Sequence, residues 1–306
     1  MGENTSFPAR FPNDNRRERP GGVPLLVFVH LRKTAGTTIS YVMQRQFRRD
    51  QAIEINAPTV EAANQTWGAM TPERRARIKC VRGHLPYRKD LFAPREITCF
   101  TVLRDPVARV VSEYYFNLRN AGERFHAALS RKGVTLDQFV DSELFAEVHN
   151  TQSRMLAGAD PGADPGADPS QLLDAAIANL RDKMALVGVS ERLDETLLLS
   201  RAILGWRWLI YRRINVNPRR PPIDRIAPAT LAAIERANSL DRSLYRFACE
   251  QLNEQIRKYR ITDSDILALR RVSRLYGATR RLIGLPREFW IEAQLASARR
   301  RAAINR

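Results

Sequence analysis

The feature that most constrains this chain is the apolar run Pro24-Leu25-Leu26-Val27-Phe28-Val29, followed at once by the small, polar stretch His30-Leu31-Arg32-Lys33-Thr34-Ala35-Gly36-Thr37-Thr38. A run without polar alternation is the pattern of a strand covered on both faces, as in a parallel sheet between helix layers. From Thr37 to Phe47 the apolar residues Ile39, Val42, Met43 and Phe47 recur on one helical stripe. The unit is therefore strand, loop, helix. In such a unit the loop N–H groups and the positive end of the helix dipole converge on one point, which suits an anion.

The loop residues fit that role. Ala35 and Gly36 let the backbone approach oxygens closely, Thr34, Thr37 and Thr38 supply hydroxyl donors, and Lys33 supplies a mobile charge. The order differs from the GxxxxGK[ST] pattern of nucleotide triphosphatases, because Lys33 precedes Gly36 and the first glycine is missing.

Further strands are expected at Ile78-Lys79-Cys80-Val81, at Ile97 to Leu103 and at Met184 to Val189. The second of these runs ends at Arg104-Asp105-Pro106, where Asp105 suits an N-cap and Pro106 a first helical residue. That helix is expected to reach about Leu118 and carries Ser112 two turns on. Helical patterns also fit 59–78, 135–156, the stretch with Leu193, Leu197, Leu198 and Ile203, and everything after about Pro228. Strands alternating with helices predict an α/β, P-loop-like three-layer fold: a central parallel sheet flanked by helices, with a helical C-terminal extension. Ligands of such sheets bind beyond the carboxyl ends of the strands, an edge that the loop after Val29, the segment after Val81, Arg104 and the turn after Val189 can all reach.

The domain reading is a disordered arm over 1–22, one domain over 23–260 and a basic helical extension over 261–306. Three Gly-Ala-Asp-Pro copies over 158–169 read as a surface loop insertion, since proline at every fourth residue forbids a regular helix. Lys and Arg exceed Asp and Glu by 50 to 33, a net charge of +17, which favours anionic partners. The three scattered cysteines form no disulfide framework or zinc pattern and suit a reducing compartment. With neither a leader-like nor a spanning apolar stretch, the expected location is cytoplasmic. No acidic cluster of the kind that holds Mg²⁺ stands out, so no metal is expected.

Taken together, the loop at 30–38 and the segment Thr101-Val102-Leu103-Arg104-Asp105-Pro106-Val107-Ala108-Arg109-Val110-Val111-Ser112-Glu113-Tyr114-Tyr115-Phe116 resemble the two phosphate-binding motifs of sulfotransferases that use 3′-phosphoadenosine 5′-phosphosulfate (PAPS). The resemblance is nearest to the carbohydrate branch containing heparan sulfate and uronyl 2-O-sulfotransferases. Arg82-Gly83-His84-Leu85-Pro86-Tyr87, Val187 to Leu193 and the Asn217-Pro218-Arg219 loop fit that branch too. It implies that Arg32, Lys33, Thr34, Ala35, Gly36, Thr37 and Thr38 hold the 5′-phosphosulfate. Arg104 and Ser112 would hold the 3′-phosphate, with Asn217 and Arg219 closing over that side. His84 would be the general base and Lys33 would stabilise the leaving phosphate. His30 is the second histidine near the loop, while His126 and His149 lie in helical stretches.

The implied acceptor is a glycan hydroxyl, with PAPS as donor and no nucleic acid as partner. Two other readings remain at this stage: a P-loop-related nucleotide kinase, and a non-enzymatic basic module binding glycan or nucleic acid. Residues 262–306 hold ten Arg and four acids with interleaved apolar residues, which suits either a packing extension or peripheral contact with a membrane surface.

Overall fold

The computed structural model describes residues 24–57, 59–88, 90–131, 133–159, 168–211 and 221–282. The N-terminal arm to residue 22, most of the Gly-Ala-Asp-Pro repeat, Asn217, Arg219 and the tail beyond 282 lie outside the described residues.

β1 (Leu25–Val29) is buried along its whole length and feeds α1 (Gly36–Met43). β2 (Ala52–Glu54) follows, then α2 (Val60–Gly68), α3 (Pro72–Arg77), β3 (Cys80–Gly83) and β4 (Ile97–Leu103). α4 (Pro106–Arg119) begins as the sequence predicts: the Asp105 carboxylate accepts from the Ala108 N–H at 2.9 Å, with Pro106 in the first turn. α5 (His126–Arg131), α6 (Leu136–Asp141), a 3₁₀ turn over Glu143–Val148 and α7 (Thr151–Ala157) come next. α8 (Pro169–Lys183) leads into β5 (Met184–Val189), and α9 (Leu193–Leu204), α10 (Pro228–Ala237), α11 (Ser239–Tyr259) and α12 (Asp263–Leu282) complete the described chain.

The five strands are all parallel, in the order β2-β3-β1-β4-β5. The chain leaves β1 towards β2 on one side and leaves β4 towards β5 on the other. The crevice between the carboxyl ends of β1 and β4 is thus the switch point at which such sheets bind ligands. Register aligns those ends: Val29 pairs with Gly83 and with Thr101, and Leu103 pairs with Val189. His30, His84 and Arg104 each follow one of these strands directly.

The main core wraps the sheet. A second, smaller cluster lies over the start of α4 and joins α5, α6 and α10. It is an aromatic block in which Phe139 packs at 4.6 Å from Phe145 and 5.5 Å from Tyr114, ring centre to ring centre.

Two local departures have simple causes. The expected strand at 78–81 runs instead from Cys80 to Gly83, because Ile78 ends α3 with its N–H on the Arg75 carbonyl. The ends of the repeat are helix caps rather than loop: Gly158 closes α7 with φ 85°, and Asp168 accepts from the Ser170 N–H to start α8 at Pro169.

The extension up to residue 277 packs on the domain. Arg270 donates to the buried Asp194 at 2.6 Å, and the Tyr276 hydroxyl receives Arg45 at 2.5 Å and lies 3.0 Å from that of Tyr41. Among the described residues no helix is long and apolar enough to cross a membrane.

Candidate active site

The loop after β1 forms an anion nest. Lys33 and Ala35 both adopt positive φ, 65° in each case, with Thr34 between them, and Ala35 is the N-cap of α1. Left-handed residues alternating in this way fold successive N–H groups into a concavity, to which the first turn of α1 adds donors that lack an intrahelical acceptor. Neither positive φ belongs to a glycine, so the strain is held by surrounding contacts. One is the Thr34 hydroxyl, fully buried and donating to the Leu31 carbonyl at 2.9 Å. A second is Arg104, whose Nη1 donates to the Lys33 carbonyl at 2.9 Å. Gly36 is required for a different reason: a Cβ there would stand 1.5 Å from Nε2 of His30.

The Lys33 ammonium lies 3.3 Å from the centre of the Phe116 ring on α4. Burial pushes its pKa down to about 8, with neighbouring Arg32 and Arg104 acting the same way. Ser112 sits one turn before Phe116 on the same face of α4, half-buried.

Arg104 is aimed by a residue that its sequence neighbourhood does not contain. Gln152, fully buried on α7, accepts from the Arg104 N–H and donates to its carbonyl, each at 2.9 Å. Gln152 and Ser153 are themselves fixed by the buried carboxylate of Asp241 on α11, which accepts both N–H groups and the Ser153 hydroxyl at 2.8–3.2 Å. The Arg104 guanidinium has Glu191 as a neighbour at 3.7 Å.

His84 lies beside the loop on the β3 side. Its ring stacks on that of His30, centres 4.1 Å apart, and His30 stacks in turn on Phe28. Nδ1 of His84 is 2.7 Å from the His30 carbonyl oxygen. A carbonyl only accepts, so Nδ1 carries the proton and Nε2 keeps the free lone pair. Burial, then the charge of Arg32, depress the His84 pKa to about 4, so the ring is neutral at physiological pH. The His30 pKa is likewise held well below the usual imidazole range, first by burial and then by His84 itself. His126 turns away, with Nδ1 at 3.0 Å from the Asn117 carbonyl.

A cavity of about 310 Å³ opens next to His84, between the sheet edge and the aromatic block. Arg32 faces this side rather than the nest: its guanidinium binds Glu113 at 2.9 and 3.1 Å and Glu123 at 3.2 Å. α4 therefore serves both regions. Phe116 faces the loop, with Ser112 one turn before it, while Arg109, Glu113 and Asn117, at successive turns, line the cavity. Glu113, Gln152, Arg109 and Asn56 carried no assigned role in the sequence reading. Only Arg109 and Glu113 had a signal there, as members of the second motif.

The site thus joins a nest at the switch point, two neighbouring cations, Lys33 and Arg104, and a neutral histidine. The family model described as Galactose-3-O-sulfotransferase matches residues 4–285, and the chain belongs to that family of carbohydrate sulfotransferases. Similar proteins include heparan-sulfate 6-O-sulfotransferase 1 of Homo sapiens, 26% identical over 285 residues that cover 79% of this chain and 69% of the human one. Heparan-sulfate 6-O-sulfotransferase 2 of Gallus gallus is also 26% identical, over 270 residues that cover 74% of this chain and 66% of its own. The motifs, the family model and these relatives point to one enzyme class with three different positions of sulfation.

Proposed function

We propose that this protein transfers the sulfuryl group of PAPS to a carbohydrate hydroxyl, with His84 as general base. The observation that carries the reading is the pairing of the nest at Lys33–Ala35 with a neighbouring neutral imidazole whose tautomer leaves Nε2 free. The nest amides, the N-terminus of α1 and Lys33 suit the 5′-phosphosulfate; Arg104 and Ser112 suit the 3′-phosphate. The family resemblance adds Asn217 and Arg219 on that side.

Nε2 of His84 takes the acceptor hydroxyl proton as the new O–S bond forms and the bond from sulfur to the bridging phosphate oxygen breaks. Adenosine 3′,5′-bisphosphate leaves with the electron pair, and Lys33 with the loop N–H groups faces the charge that builds on the 5′-phosphate. These cations and amides supply the positive field from the chain itself. Burial and the charge of Arg32 keep the His84 ring neutral at physiological pH, so Nε2 is able to accept the proton.

Galactose, which the family description names, is the first acceptor to test, and heparan sulfate, named by the relatives, the second. Incubation with PAPS and either methyl β-D-galactopyranoside or desulfated heparan oligosaccharides is expected to give a sulfated product by mass spectrometry. Product formation undiminished in His84→Ala would remove His84 from the mechanism.

A further inference from the structure

The edge strand β2 has three residues and pairs with β3 alone, yet the residues that end and follow it reach His84. Register puts Glu54 opposite Arg82. Both carboxylate oxygens of Glu54 are engaged: Oε2 receives Nη2 of Arg82 at 2.5 Å, and Oε1 receives Nδ2 of Asn56 at 2.6 Å. These are short bonds to an ionised acceptor, the stronger kind. Asn56 Oδ1 in turn accepts the backbone N–H of His84 at 3.1 Å. Arg82, Glu54, Asn56 and His84 thus form one chain of hydrogen bonds across the strand pair, and it ends on the residue proposed as the base.

Backbone contacts bring the two segments together. The Ile55 N–H donates to the Arg82 carbonyl at 2.9 Å, and a Cβ on Gly83 would stand 1.7 Å from the Ile55 carbonyl oxygen. That approach needs glycine at position 83. On the other side of β3, the His30 N–H donates to the Gly83 carbonyl at 3.1 Å, and the His30 carbonyl faces Nδ1 of His84 at 2.7 Å. His84 is therefore held twice, its ring by the residue after β1 and its main chain by the residues after β2. The ring bond sets the tautomer. A ring on a loose backbone can still tilt about that one bond, and the Asn56 contact removes this freedom. Asn56 and His84 both line the cavity, where the His84 N–H would otherwise be left to water.

We infer that Glu54 and Asn56 are positioning residues for His84: the edge strand ends in a clamp that holds the base at the distance and angle that proton transfer needs. The inference rests on the proposed transfer activity and extends it to two residues that act through the base. Geometry of this kind matters because a displacement of about 1 Å at a reacting centre can cost ~10²-fold in rate.

The test uses Asn56→Ala, Asn56→Asp and the double variant Glu54→Gln/Asn56→Asp; both positions are exposed. Asn56→Ala takes the acceptor from the His84 N–H. Asn56→Asp sets two carboxylates against each other. In the double variant the amide and the carboxylate exchange places, so a donor again faces an acceptor and the His84 N–H again meets an oxygen. The readouts are kcat with PAPS and the acceptors above, the Kd for adenosine 3′,5′-bisphosphate, and the His84 ring tautomer by nitrogen NMR. We expect kcat to fall ~10-fold or more in both single variants and to return to within about threefold of wild type in the double one, with Kd within about threefold throughout. Wild type should carry the ring proton on Nδ1, and Asn56→Ala should show a mixture of tautomers. Unchanged kcat and tautomer in Asn56→Ala, a double variant no better than Asn56→Asp, or a loss of nucleotide affinity equal to the loss of kcat, each overturns the inference. Absence of transfer by wild type to either acceptor would instead overturn the transfer activity; the tautomer then decides the clamp, a mixture in Asn56→Ala upholding it and an unchanged ring sinking it.

Discussion

The loop after β1 and the cavity beside His84 adjoin at one sheet edge, yet they are built in opposite ways. The loop is local: within six residues, Lys33 to Thr38, the backbone alone supplies a nest and a helix end, and its one large side chain, that of Lys33, lies over a ring. The cavity is assembled from Asn56, His84, Arg109, Arg124 and Thr151, which belong to separate elements and meet only in the fold. Its character comes from side chains and from a buried charge network centred on Glu113. A site made of backbone is disrupted by changing shape, whereas a site made of side chains is disrupted by removing a single atom group.

The comparison can be broken at several points. The largest effect is expected in the cavity region: His84→Ala should lower kcat by ~10²–10⁴-fold, the usual contribution of a positioned base, while nucleotide affinity stays within about threefold. A parallel loss of nucleotide binding, seen by calorimetry, would mean that His84 supports the nest rather than the acceptor.

Next comes the loop. Gly36→Ala adds one carbon, but that carbon meets the His30 ring at 1.5 Å, so the loop or the histidine must move. Overpacking of this kind costs about 1–3 kcal/mol, and the Kd for adenosine 3′,5′-bisphosphate should rise at least ~10-fold. Removal of a loop hydroxyl, Thr37→Ala, should cost less than Gly36→Ala if the backbone matters more. The reverse order in calorimetric titration would contradict the distinction.

The pH profile separates the regions by sign. His84 accepts a proton only when neutral, and Lys33 holds an anion best when charged. With free-enzyme pKa values of about 4 and about 8, kcat/KM should fall below the first and above the second. Lys33→Met should remove the alkaline limb and leave the acid one. A profile that falls below pH 6.5 would show His84 to be an ordinary exposed imidazole. The smallest effect belongs to Gln152→Ala, which removes two bonds aiming Arg104 and touches no ligand; a 3–10-fold weaker Kd for the nucleotide is expected, from about 1 kcal/mol. Unchanged affinity would show that Arg104 needs no such clamp.

What was legible in the sequence follows the same division. β1 was visible as an unbroken apolar run and β4 and β5 as largely apolar ones because both sheet faces are covered, and the start of α4 was visible because Asp105 and Pro106 are adjacent cap signals. β2 was not: three residues at the sheet edge, none fully buried, leave no periodic pattern. α8 was missed because the repeat's prolines mark a loop, whereas the last of them, Pro169, opens a helix. The expected nest was legible as small residues after a strand, but its positive φ values at Lys33 and Ala35 were not, since neither residue favours them alone. Arg32 was grouped with the nest by adjacency; its guanidinium turns to Glu113, 81 positions away, a choice set only by tertiary packing. Gln152 and Asp241, which hold Arg104 in place, carry no local signature either.

The central claim, a nest that binds a 3′-phosphorylated nucleotide, is tested most directly by calorimetric titration of adenosine 3′,5′-bisphosphate against 5′-AMP and ATP in wild type and Arg104→Ala. The account predicts a preference for the bisphosphate of 10-fold or more over 5′-AMP, reduced to near parity in Arg104→Ala by loss of a charge-assisted contact. Equal affinity for the three nucleotides, or a preference that survives removal of Arg104, would contradict it.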